Sequence, residues 1–252
     1  MASERRTRGK KGFRMYSFDS RVRYSECSEG GRLSILALVN YLQDCSTFHS
    51  EAVGLGLDYM RKRHFAWFIA AWQIEIDELP SFDEPITTST WCYDIRRLMA
   101  SRNFTIARSG ESPCVRADSL WFAFDTQERR PVRVPEGQEA YLTGESRLDM
   151  PTTQRKIAVR GPATETTPIL VVEQHLDTNR HVNNAQYISM ALDALAESGD
   201  QVDLHRIAVQ YKNMALLGDT IVPRIHNAEH GKTIDLASPE GKSYAIVKLE
   251  SE

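Results

Sequence analysis

Apolar residues recur at helical spacing through Val182, Ala185, Ile188, Leu192 and Leu195. They predict a buried helix that starts inside residues 177–187 and stops near Ser198-Gly199. A second stripe, Ile35, Leu38, Leu42 and Cys45, follows Ser34 and predicts another helix with that serine as its N-cap. After each helix the pattern changes to runs rich in β-branched and aromatic residues. The first set covers residues 65–76, 86–95, 103–108 and 115–124, and the second covers residues 206–211, 220–226, 233–236 and 244–249. Turn signals at Pro80, Asp83-Glu84-Pro85, Ser109-Gly110-Glu111, His230-Gly231-Lys232 and Glu240-Gly241-Lys242 separate them. Residues 21–24 and 169–175 read as short strands ahead of the helices, and residues 53–57 as a Gly-containing loop.

The order strand, long helix, several antiparallel strands therefore occurs twice, which predicts an α+β protein of two similar units. Placing Tyr41-Leu42 on Tyr187-Ile188 aligns Leu36 with Val182, Val39 with Ala185 and Cys45 with Ala191. It opposes Leu38 to Asn184, Ser46 to Leu192 and His49 to Leu195, so the match is partial. In this register Gly31, Leu33 and Ile35 face Asp177, Asn179 and His181, and only the second half carries reactive side chains. The expected division is a basic tail at 1–14, a first unit at 15–130, a connection at 131–168 with a short helix near residues 136–141, and a second unit at 169–252.

Composition narrows the class. At 252 residues, 41% hydrophobic and 26% charged, the chain is an ordinary globular protein. A net charge of −3 predicts no general affinity for nucleic acid. Arg5, Arg6, Arg8, Lys10, Lys11 and Arg14 make the tail basic, but no signal-peptide core follows, and no apolar run is long enough to span a membrane. Cys27, Cys45, Cys92 and Cys114 form no CxxC pair, which argues against a zinc site and fits a reducing cytoplasm. His226 and His230 lack a zincin order and fall at a hairpin, and Gly54-x-Gly56 follows a helix rather than a strand. Phe65, Trp67, Phe68 and Trp72 read as core, with some of them available to line an apolar tunnel.

The candidate chemistry lies in Asp177-Thr178-Asn179-Arg180-His181-Val182-Asn183-Asn184. A carboxylate, an imidazole and three amides gather at the mouth of a buried helix. They are costly there unless they satisfy one another or a ligand. Asp or Asn in such a place is often only an N-cap.

These residues carry a resemblance. Asp177-x-Asn179-x-His181-Val182-Asn183-Asn184-x-x-Tyr187 and Tyr211-Lys212 resemble the acyl-acyl-carrier-protein thioesterases, a family of the double-hotdog fold. So do Leu42-Gln43-Asp44, Ala52-Val53-Gly54, Trp67, Trp91-Cys92, residues 116–121, Arg129-Arg130 and Pro135. The resemblance implies two tandem hotdog units, each an antiparallel sheet wrapped around a central long helix, the first binding the acyl chain and the second catalytic. It implies hydrolysis of fatty acyl thioesters on acyl carrier protein (ACP) in fatty acid biosynthesis, with no metal or organic cofactor. It places catalysis at Asp177, Asn179 and His181. The expected setting, from the cysteines and from the lack of an evident transit segment, is the cytoplasm of a bacterium, with a homodimer as a partner state to test.

Asp177 is then the expected base toward water, Asn179 the group that positions water or carbonyl, and His181 the donor or proton shuttle. The backbone N–H groups of Val182 and Asn183 are expected to complete an oxyanion site. Arg61, Lys62, Arg63, Arg96, Arg97, Arg129 and Arg130 are candidate contacts for the acidic carrier. The chain departs from the family in one place. Where the family often has Glu, followed in plant members by Cys, it reads Met214-Ala215. Met214 suggests a non-hydrolytic acyl-binding protein as one rival reading, and an acyl-CoA thioesterase of the same fold is the other.

Overall fold

The computed structural model describes residues 15–251. The basic tail at 1–14 and the cations it contributes lie outside the described residues. The chain divides into two compact units. The first runs to Thr152 without Ala70–Glu75, and the second comprises that stretch and the chain from Thr153.

In the first unit β1 (Tyr16–Arg21) leads through a 3-10 turn, Tyr24–Glu26, to α1 (Ile35–Ala52) and the short α2 (Leu57–Lys62). There follow β2 (Phe65–Ile76), β3 (Pro85–Ile95), β4 (Met99–Arg108), β5 (Pro113–Asp125) and the two-residue β6 (Arg130–Pro131). Strands pair antiparallel in the order β1-β3-β4-β5, with β6 on β5. The helix α1 starts where expected, since Ser34 Oγ accepts the Ala37 N–H at 3.2 Å. It packs on β1 and β3. Leu38, Leu42 and Cys45 are wholly buried, and each of the two leucines contributes about 1.5–3 kcal/mol.

The second unit adds β7 (Thr164–Glu165), β8 (Ile169–Leu170), a 3-10 turn at Glu173–His175, and α3 (Asn184–Glu197). Then come β9 (Arg206–Tyr211), β10 (Thr220–Ala228), β11 (Gly231–Ala237) and β12 (Ser243–Glu250). The stretch Ala70–Glu75 of β2 pairs with β9, and the order continues β9-β12-β11-β10, with β7 and β8 both on β10. The apolar face of α3, including Ala185, Ile188 and Leu195, packs on β10, β11 and β12.

Several expectations need correction. Residues 21–24 are not a strand. The first strand is β1, ending at Arg21, and the chain then enters the 3-10 turn. Residues 169–175 pair only at Ile169–Leu170 before the equivalent turn. The cause is the same in both halves: the turn must present a carbonyl to the helix N-cap. Ser34 N–H donates to Glu26 O, and Asn183 N–H donates to His175 O, each at 2.8 Å. The loop expected at residues 53–57 runs straight into α2, whose first N–H is taken by Glu51 Oε1 at 2.9 Å. No α2 residue is buried, so no apolar period announces it. The strand β4 begins at Met99, earlier than the expected 103, because Arg96 N–H closes on Met99 O at 2.7 Å.

The register of the repeat also changes. Bridges Cys27↔Leu33 and Leu176↔Val182 close the same turn in each unit. Gly31 and Arg180 both take positive φ, at 71° and 62°. Superposing those landmarks puts Leu38, not Tyr41, on Tyr187. Ser28, Gly30 and Arg32 then stand where the second unit has Asp177, Asn179 and His181.

Candidate active site

The turn between Leu176 and Val182 is tied by its own backbone. Asp177 N–H donates to His181 O at 2.8 Å, and Arg180 N–H donates to Asp177 O at 3.0 Å. Asp177 reinforces it from the side chain. Its Oδ1 accepts the N–H of Asn179 at 2.8 Å and of His181 at 3.2 Å, while Oδ2 accepts Asn179 Nδ2 at 3.3 Å. Asp177 and Asn179 are thus in direct contact. His181 meets Asp177 through its backbone, and its ring makes no hydrogen bond among the described residues. Asp177 and His181 are half-buried and Asn179 is exposed, so the three line a turn that water reaches.

The expected oxyanion amides are not available. Val182 N–H is spent on Ala215 O at 3.0 Å, and Asn183 N–H on His175 O. The Asn183 side chain is the helix cap, its Oδ1 accepting Ala185 N–H at 2.9 Å. Of the three expected site residues, Asn179 and His181 carry side chains that can donate a hydrogen bond.

The first of those bonds stitches the loop that carries Met214 to the turn. Ala215 accepts from Val182, and its own N–H donates to Tyr187 Oη at 2.9 Å. Tyr187 is buried, and burial pushes its hydroxyl up to about 12, so it keeps its proton at working pH. Tyr211 Oη donates to Asn184 O at 2.9 Å and fastens the end of β9 to the start of α3. Met214, which precedes this clamp, remains 41% exposed. The nearby Asp219 is engaged in holding the same loop, accepting Leu216 N–H at 2.9 Å and the Tyr244 hydroxyl at 3.3 Å. Sequence reasoning included Tyr187 in the motif but gave it no part to play; its value depends on Ala215, far along the chain.

A cavity of about 210 Å³ in the second unit lies elsewhere, lined by residues including His175, Gln186, Met190, Asp193 and Pro223, and touching none of the three site residues. Among the described residues no three His, Cys, Asp or Glu side chains gather to hold a metal ion. Several cations considered for the carrier are already engaged. Arg61 pairs with Asp58 at 2.9 Å, Arg96 with Asp94 at 2.7 Å, and Arg63 lies over the Tyr59 ring. At such exposure these pairs contribute little and leave the cations open to exchange.

The sequence matches the acyl-ACP thioesterase N-terminal domain over residues 14–141 and the C-terminal domain over residues 163–248, and the chain belongs to that family. It is 27% identical over 205 residues to the chloroplastic oleoyl-acyl carrier protein thioesterase 1 of Arabidopsis thaliana, covering 75% of this chain and 56% of the relative. The chain thus spans little more than half of that relative's length. Among solved structures, an acyl-ACP thioesterase from Bacteroides thetaiotaomicron superposes with a TM-score of 0.84 at 21% identity, covering 94% of this chain and 98% of the other. The 12:0-ACP thioesterase from Umbellularia californica gives 0.78 at 17% identity, covering 94% and 96%. These two likenesses are of fold.

Proposed function

We propose that the chain hydrolyses fatty acyl-ACP thioesters to free fatty acid and carrier thiol, with Asp177, Asn179 and His181 as its catalytic residues. Each unit is read as a hotdog, with the first (residues 15–130) holding the acyl chain, the second (residues 169–252) performing the chemistry, and residues 131–168 connecting them. The observation that carries the site is the repeat. The first unit builds the same turn with Ser28, Gly30 and Arg32, so the backbone does not demand an acid, an amide and an imidazole.

In this reading Asp177 Oδ2, the oxygen not tied to two backbone N–H groups, takes a proton from water as the water oxygen attacks the thioester carbonyl. The Asn179 amide or the His181 ring donates to the resulting oxyanion. Collapse breaks the C–S bond, and the proton passes to the leaving thiolate. Since a thiol has an ordinary pKa near ~8.5, departure needs little help, and the attack is the demanding step. A base contributes roughly 10²–10⁴-fold and an oxyanion donor about 10²–10³-fold. A reducing cytoplasm suits the four cysteines, all free thiols.

Turnover of acyl-ACPs of graded length, beside matched acyl-CoA thioesters, tests the reading. Multiple turnovers with a preference for the carrier protein are expected. Retention of one acyl chain per protein without release would replace hydrolysis with binding. Met214→Glu, introducing a carboxylate next to the clamped Ala215, is expected to raise kcat by roughly tenfold; an unchanged kcat would mean that Asp177 suffices as base.

A further inference from the structure

The first unit holds a buried cation that no acid among the described residues neutralises. Arg102, on β4, is 7% exposed. Its Nη1 donates to His49 Nδ1 at 2.8 Å and to Thr90 Oγ1 at 3.3 Å, and its Cζ lies 5.2 Å from the centroid of the Tyr141 ring. All three partners are neutral. A guanidinium only donates, so His49 Nδ1 must offer its lone pair, and the imidazole is uncharged. Burial and the adjacent guanidinium push the His49 pKa down to about 3. Arg102 Nε and Nη2 have no hydrogen-bond acceptor among the described residues and are not sealed from solvent.

A second unmatched donor lies beside it. Gln138 is 1% exposed, and its Oε1 accepts the Trp67 indole N–H at 3.1 Å. That contact fixes the amide orientation, because indole nitrogen only donates. Nε2 is then turned the other way, buried and without a partner. Gln138 and Tyr141 open and close one 3-10 turn, and residues three apart in such a turn share a face. Gln138 thus stands one turn before the tyrosine over which Arg102 lies, and its partner Trp67 packs on the cluster that holds that tyrosine. Around it lies an apolar cluster of Leu55, Cys92, Ala100 and Tyr141, edged by the half-buried Trp67 and Trp121.

We infer that Arg102 and Gln138 form a subsite for an oxygen acceptor carried on an acyl chain: a hydroxyl, keto or carboxylate group remote from the thioester. Apolar walls accept the methylenes, and the donors at their edge gain only when an oxygen meets them. A site that hydrogen-bonds a substrate group discriminates strongly against the analogue lacking it, because its own donors are then stranded. The inference rests on the first unit's holding the acyl chain.

The test uses calorimetry on the full chain with the methyl ester of a saturated medium-chain fatty acid, the methyl esters of its mid-chain and ω-hydroxy analogues, and its ω-carboxy monoester, so that the plain chain carries no carboxylate of its own. Turnover of the matching acyl-ACPs is measured in parallel. At least one oxygen-bearing chain should bind roughly tenfold or more tightly than the plain one. Arg102→Met should abolish that preference. Gln138→Glu, which keeps the acceptor for Trp67 while removing the spare donor and adding a carboxylate on the same face, should also abolish it and guards against misfolding of the first variant. Plain chains binding as well as any oxygenated one, or a preference that survives both substitutions, would overturn the subsite. If plain acyl-ACP turns over while no oxygenated chain is favoured, the hydrolase stands and the subsite falls. If an oxygenated ester binds with the expected preference but no thioester is cleaved, the reverse holds.

Discussion

The turn ahead of α1 and the turn ahead of α3 share one backbone and diverge in side chains. In each, a residue of the bridge donates its N–H across the unit, Leu33 to Pro80 O at 2.8 Å and Val182 to Ala215 O at 3.0 Å. Each receiving loop is held by an acid three or four residues on: Ser81 N–H donates to Glu84 Oε2 at 3.0 Å, and Leu216 N–H to Asp219 Oδ2 at 2.9 Å. The helices differ to match. Pro80 has no N–H, and the α1 residue equivalent to Tyr187 is the wholly buried Leu38. Ala215 has an N–H, and Tyr187 supplies its acceptor. The pairs Leu38 with Pro80 and Tyr187 with Ala215 are two ways to leave no buried amide unpaired. Where the scaffold constrains a position, the two units thus change in concert. Asp177, Asn179 and His181 replace Ser28, Gly30 and Arg32 in a turn whose backbone closes with either set, Asp177 adding acceptors for two of its N–H groups.

The largest expected effect breaks that contrast directly. Asp177→Asn should lower acyl-ACP kcat by at least ~10²-fold, whereas Ser28→Ala in the matching turn should leave kcat within about threefold. Equal losses in two well-folded variants, measured by steady-state kinetics, would make both turns structural.

Acid separates the units next. The helix α1 has 18 residues to the 14 of α3, and its extra turn carries His49 against Arg102, with Tyr16 stacked at 5.7 Å and Tyr141 edge-on at 5.6 Å. The folded pKa of His49, about 3, lies below its ordinary 6.5. Its neutral form therefore contributes stability that is complete above pH 6.5 and is lost as pH falls toward 3, because the unfolded chain binds the proton first. That loss should amount to roughly a few kcal/mol. His49→Gln should flatten the stability–pH curve over this window in urea titrations, and an unaltered curve would show that the imidazole is not held neutral.

Smaller changes sharpen the comparison. Tyr187→Leu alone strands the Ala215 N–H and should cost about 1–3 kcal/mol. Adding Ala215→Pro recreates the first unit's solution and should recover most of the loss in melting experiments. Least of all, Arg180→Gly, which relieves a left-handed φ of 62° that Gly31 adopts freely, should stabilise by about 1 kcal/mol and raise Tm slightly.

Much of this was legible in sequence because it is periodic. The stripe of α3, the Ser34 cap and the long strands announce themselves within a dozen residues. Short elements do not: β7 and β8 are two residues each and exist only because β10 offers partners, and β1 was missed although its burial alternates, because it is short and its inward positions include Ser20. The polar residues of the site were legible by type. The commitment of the Val182 and Asn183 amides was not, since it depends on acceptors at Ala215 and His175 that only folding brings there. The repeat register failed for the same reason, as an apolar Leu38 conceals its kinship with Tyr187 until Pro80 and Ala215 are seen beneath them.

The way Ala215 is fastened has a consequence for its neighbour. Both of its bonds are made by its own main chain, so Met214 has no share in anchoring the loop. Position 214 is a socket whose fitting can be exchanged without loosening the wall around it.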